Sequence, residues 1–121
     1  MKEIKAFIRK DRVNITVEAL QNAGAPGISI SEIHPVGYGY EPNYFESHYT
    51  DVVDSYRHLA IVKLEIVCTD RDAEKLLKVI LRSCNSGKKG DGVIFVSEVG
   101  EAVRIRDGKN GEEVLQFSPG Q

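Results

Sequence analysis

The sequence predicts an α+β fold of the ferredoxin-like type, a βαββαβ sandwich with an antiparallel sheet and two helices on one of its faces. Three observations lead there. Residues 2–8 alternate charged with apolar side chains at Ile4, Ala6 and Ile8, a period of two. Apolar stripes at helical spacing follow strand-like runs twice, at 13–20 and at 73–84. A long segment without periodicity separates the two β-α-β halves. One sheet face would carry the helices and the other would stay open, which favours burying it in an oligomer.

The elements follow in order. Residues 2–8 are the first strand. Asp11 is a candidate N-cap for a helix carrying Val13, Val17 and Leu20 on one face and Glu18 and Gln21 on the other. Gly24 and then Pro26-Gly27 end that helix. Ile28, Ile30 and Ile33 return to strand character. From Pro35 to His58 the pattern breaks, with Gly37, Gly39 and Pro42 interrupting it and all five tyrosines scattered through it. A loop of this length in a small domain is commonly functional. Residues 59–68 read as a strong strand. Thr69 and Asp72 have the spacing of a capping box, with Asp in place of the usual Glu. Ala73, Leu76, Leu77, Ile80, Leu81 and Cys84 form the apolar stripe of the second helix. Residues 85–92 are a glycine-rich turn, Val93–Val96 a short buried strand, and Ala102–Arg106 a further short strand before a Gly- and Glu-rich tail.

Composition excludes several classes. The 121 residues suit one domain, 1–121, with a core of its own. Apolar residues are 41% and charged residues 28%, the balance of a soluble globule. A net charge of −2 gives no drive toward nucleic acid. The charged start predicts no secretory leader, and no stretch approaches a membrane span, so a cytoplasmic location is expected. Cys68 and Cys84 lack CxxC spacing and read as reduced core residues.

Two segments suggest anion chemistry. In Ser86-Gly87-Lys88-Lys89-Gly90-Asp91-Gly92 three glycines let backbone amides approach a bound anion, with two lysines adding charge. The segment does not match a Walker loop, and alone it is also an ordinary helix-to-strand turn. In Arg104-Ile105-Arg106 a strand would put both guanidiniums on one face, a fork suited to phosphate. Two solvated surface arginines would read the same way. His34, His48 and His58 surround the long loop without a known ligand spacing, and no nucleophile–base pair stands out, so no metal site and no enzyme are expected.

Residues 86–96 resemble the B-loop signature of the PII signal transduction family. Val103-Arg104-Ile105-Arg106-Asp107-Gly108, with Gly111-Glu112-Glu113, resembles that family's C-terminal segment, and residues 27–33 and 63–67 resemble its second and third strands. The resemblance runs in register over nearly the whole chain. It implies a homotrimer with adenine nucleotide, ADP, ATP or AMP, in the clefts between subunits. There the B-loop (about 85–92) of one subunit and the C-terminal segment (about 102–121) of its neighbour wrap the ligand. By position it implies nucleotide contacts from Ser29, Gly37, Leu64, Gly87, Gly90, Asp91, Gly92, Arg104 and Arg106, with Phe7 beside the adenine. The segment at about 35–58 would be the T-loop, which docks on a target such as a transporter or metabolic enzyme in nitrogen or carbon metabolism.

The departures from the family pattern matter as much. Where the family usually has Gly-Phe-Gly-Arg-Gln, this chain has Pro35-Val36-Gly37-Tyr38-Gly39. The family's Gln helps to hold Mg²⁺ and 2-oxoglutarate, and Gly39 has no side chain for that. Of two lysines that in the family contact phosphate or oxoglutarate, the one before the third strand appears as Ile61 or is displaced, and the one after Gly-Asp-Gly stands as Val93. Each lost charge-assisted bond removes roughly 1.5–3 kcal/mol, which argues against tight ATP with Mg²⁺ and against 2-oxoglutarate. Asp51 stands where the family's modified Tyr would be. The competing reading is a scaffold of this type that senses another small anion, bicarbonate or a dicarboxylate, or acts only by protein interaction.

Overall fold

The computed structural model of the chain describes residues 1–35 and 61–117. The order is β1 (Lys2–Arg9), α1 (Val13–Asn22), β2 (Ile28–Glu32), β3 (Ile61–Cys68), α2 (Asp70–Cys84) and β4 (Gly92–Glu98), with short 3-10 turns at Lys10–Arg12 and Glu112–Leu115. The sheet is antiparallel in the order β2-β3-β1-β4, the ferredoxin-like arrangement.

Period two becomes two chemically different faces. Ile4, Ala6 and Ile8 of β1 lie opposite Ile66, Leu64 and Val62 of β3, and all six are buried beneath the helices. The intervening positions, Glu3, Lys5, Phe7, Lys63 and Glu65, share the other face. There Glu3–Lys5 and Lys63–Glu65 make ion pairs, and Phe7 packs edge-on to Phe95 at 5.8 Å. Adjacent opposite charges neutralise one another without leaving a strongly charged surface.

Helix α1 ends as its glycine requires. Gly24 sits at φ +85°, Gly24 N–H donates to Gln21 O and Ala25 N–H donates to Leu20 O, the Schellman pattern. Its start differs from the expectation. Asp11 does not cap it: Asp11 lies in the 3-10 turn and pairs with Arg9 at 3.3 Å, while the N-cap position is Arg12. Thr69 does cap α2, accepting from Asp72 N–H at 3.2 Å, and Asp72 turns its carboxylate toward Arg71 and Lys75.

The apolar stripe of α2 is shifted from the predicted one. Val79 is buried with Ala73, Leu76, Ile80 and Cys84, whereas Leu81 is 51% exposed. Helical geometry explains this: at about 100° per residue, positions 79, 76, 80, 73 and 84 follow one another round one arc of the wheel, and 81 falls beyond its end. Cys68 and Cys84 are free and buried, and burial pushes both thiols above their ordinary pKa. Thr16 is the one buried polar side chain among the described residues. Its hydroxyl lies 2.7 Å from Arg12 O and 3.3 Å from Cys84 Sγ, tying α1 to α2.

Two strand expectations need correction. β4 is longer than Val93–Val96 and is not buried. Among the described residues it pairs only with β1, and Phe95 and Val96 are 49% and 45% exposed. Residues 102–106 form no strand. Only an isolated bridge joins Val103 to Asn110, and the chain turns back at 105–107. No helix among the described residues is long and apolar enough to cross a membrane.

Candidate functional site

The glycine-rich loop closes on its own carboxylate. Asp91 Oδ2 accepts from Ser86 N–H at 2.7 Å and Gly87 N–H at 3.1 Å, and its other oxygen accepts from the Ser86 hydroxyl. Asn85 Oδ1 also accepts from Gly87 N–H at 2.8 Å. These bonds to the charged form hold Asp91 below the ordinary carboxylate range, with the Ser86 hydroxyl as the largest cause. The Gly87 amide is therefore already satisfied. Lys88 N–H likewise donates to Ser86 Oγ at 3.3 Å, so a phosphate approaching this loop would meet the far side of the turn, toward Gly90 and Gly92.

Gly92 fixes how that turn joins the sheet. It has φ +113°, and a Cβ there would lie 1.8 Å from Phe7 O. No other residue fits between β4 and β1 at this point. The close approach sets the loop beside a cleft of about 240 Å³ on the open face, lined by Phe7, Ile33, Pro35, Ile61, Val93 and Phe95. That is below the roughly 300–1,000 Å³ typical of small-molecule sites.

The arginines belong to a second construction. From Ala102 to Gly111 the chain folds back on itself, with Arg104 N–H to Lys109 O and Gly108 N–H to Arg104 O both 2.8 Å and Gly111 N–H to Ala102 O 3.1 Å. The turn, rather than a strand, brings Arg104 and Arg106 to one point, the Asp107 carboxylate. Arg104 Nε and Nη2 grip it at 3.1 and 2.8 Å, and Arg106 Nη2 lies 3.6 Å away. Asp107 also accepts from Lys109 N–H at 3.1 Å. With Arg104 as the largest cause, its carboxyl is held far below the ordinary range. Ile105, between the arginines, is fully exposed, and a hollow of about 540 Å³ runs from Arg104 and Arg106 to Val67 and Leu115.

These two constructions lie at opposite ends of the sheet. Gly92 pairs with Ile8, and Glu98, after which the C-terminal segment begins, pairs with Lys2. The register puts Gly92 and Glu98 about 20 Å apart, taking a rise of about 3.3 Å per residue, and the arginine hollow is lined by Val67 and Val99 at the Glu98 end. One protomer cannot close both around a single small anion.

The remaining predicted residues divide between these ends and the core. Ser29 is exposed on the open face of edge strand β2, opposite Glu65. The Phe117 ring lies 3.6 Å from where a Gly27 Cβ would be, so the chain's last described residues run along the start of β2, on the arginine side. Leu64 is 0% exposed on the helix-covered face, opposite Ala6, which leaves its backbone rather than its side chain for a ligand. Gly37, Gly39, His48, Asp51 and His58 lie outside the described residues, as does the predicted long loop from residue 36. Among the described residues no group of three or more His, Cys, Asp and Glu side chains could hold a metal ion. Sequence reading missed Asp107, although a carboxylate three residues after Arg104 in a glycine-containing turn is a recognisable side-chain clasp.

Comparison with known proteins gives consistent matches. The family model described as "Nitrogen regulatory protein P-II" matches residues 1–109. A protein of that name from Rhizobium meliloti (strain 1021) is 38% identical over 117 residues, covering 95% of this chain and 100% of the relative. "Nitrogen regulatory protein P-II 2" from Methanothermobacter thermautotrophicus is 37% identical over 122 residues, covering 95% and 97%. The Cereibacter sphaeroides protein is 36% identical over 115 residues, covering 95% and 100%.

Proposed function

The chain belongs to the nitrogen regulatory protein P-II family, and from that membership we propose that it senses adenine nucleotide in clefts between copies of itself and regulates a partner protein in nitrogen or carbon metabolism through its long loop. Members of this family are regulatory signal proteins, not enzymes. The assembly in this proposal is a cytoplasmic homotrimer. One copy supplies the glycine-rich loop with Phe7, and its neighbour supplies Arg104, Arg106 and Ser29.

The observation that carries the reading is the separation of the two anion-facing ends along β4. Backbone amides at one end and guanidiniums at the other complement each other, and they serve one polyphosphate only when two copies meet. Ligand binding would stabilise that meeting and bias the long loop, which is how a signal protein reports a concentration. ADP, ATP and AMP are the ligands in this reading. Mg²⁺ and 2-oxoglutarate are left out of it, because Gly39 replaces the side chain that the resemblance would require.

Calorimetric titration with ADP, ATP and AMP tests it. Micromolar ADP binding that is lost in Arg104→Ala is the expected result. Silence toward every adenine nucleotide at millimolar concentration would overturn it. The carboxylates of Asp91 and Asp107 in both anion-facing ends favour a second reading, a smaller or less charged anion such as bicarbonate or a dicarboxylate. A bicarbonate response without a nucleotide response would select that one.

A further inference from the structure

We infer that Asp107 is a specificity-determining residue of the anion site, a built-in competitor that holds Arg104 and Arg106 in place of phosphate and disfavours ligands carrying more phosphates. The inference rests on the nucleotide-binding reading above and deepens it. Arg104 presents its Nε–Nη2 edge to Asp107 side-on, at 3.1 and 2.8 Å, which is the edge that would grip two phosphate oxygens. Arg106 leans on the same carboxylate at 3.6 Å. Two guanidiniums and one carboxylate leave a net of one positive charge where the pair alone would offer two.

A phosphate therefore has two routes. It displaces Asp107, leaving that carboxylate beside the incoming anion, or it accepts only from the donors that Asp107 leaves over. Either way the opposing charge acts on every negative charge the ligand brings, so the penalty grows from AMP to ADP to ATP. A clasp that merely positions Arg104 for the ligand would have the opposite sign, since removing it would weaken binding.

Asp107→Asn separates these outcomes. Its amide oxygen can still accept from Lys109 N–H, so the turn keeps that bond while losing the charge. Asp107→Ser is the second variant, with a hydroxyl able to accept the same bond. Fold and assembly are checked by circular dichroism and light scattering, and AMP, ADP and ATP are titrated into each full-length protein. Both variants should bind ADP about threefold to tenfold more tightly than wild type, with a larger gain for ATP and a smaller one for AMP. Binding gained by the variants where wild type shows none also supports the inference. Equal affinities, or weaker binding in both variants, overturn it and leave the nucleotide reading standing. No binding by wild type or either variant overturns the reading and the inference together.

Discussion

The two ends of β4 present anion-binding chemistry in different ways. At its start the loop from Asn85 to Gly92 depends on backbone: positive φ at Gly87, Gly90 and Gly92 and a contact at Phe7 that admits no Cβ. Beyond its end, the turn from Ala102 to Gly111 depends on side chains, two arginines converging on Asp107. Each end is held together by a carboxylate of its own, Asp91 in one and Asp107 in the other. The contrast teaches that the first end is anchored to the sheet through Gly92, where a change disturbs the fold. The second end rests on exposed charge and is free to tune what the site accepts.

The strongest way to break this comparison is Gly92→Ala. The added methyl has no room beside Phe7 O and an unfavourable φ, so β4 must shift away from β1. Unfolding free energy in urea should fall by about 3 kcal/mol or more, in the range of strained backbone and overpacked core positions. A change under about 0.5 kcal/mol would show that the first end is not structural. Arg104→Ala should leave the urea midpoint nearly unchanged while removing nucleotide binding.

A smaller effect sharpens the comparison through pH. Asp91 and Asp107 both have folded-state pKa values depressed below the ordinary value of about 3.9. Their contribution to stability is therefore present above that pH and is lost as pH falls through the folded values. Asp107→Asn should flatten the acid limb of the stability–pH curve relative to wild type, with no difference near neutrality beyond the lost pair. An unchanged acid limb would mean that Asp107 stays equally protonated in the folded and unfolded chains.

Much of the fold was legible because its signals are local. Period two at Ile4, Ala6 and Ile8, the cap at Thr69 and the Gly24 stop each act within a few residues and survive into the structure. The glycine-rich loop was legible for the same reason, since glycine at positive φ is a backbone statement. The second end was misread because Arg104-Ile105-Arg106 has the alternation of a strand. Gly108 and Gly111, with Asp107 binding Arg104 and Lys109 N–H, turn the chain back before a strand can form. Burial in β4 was misread because sequence does not tell an edge strand from a central one, and Val93–Val96 is as apolar as a core strand. Leu64 was legible as a core side chain from period two alone, in register with Ala6.

The claim beneath this account is that a working site draws its glycine-rich loop from one copy and its arginines from another. Two variants each spoil one half. Gly90→Asp puts a negative charge and, at φ +91°, a strained side chain into the turn, and Arg104→Ala removes the grip. Each alone should fail to bind ADP. Co-expressed on different tags and purified as mixed assemblies, they should regain ADP binding at the clefts that pair an intact loop with an intact arginine. Mixed assemblies as silent as either variant alone would contradict the account.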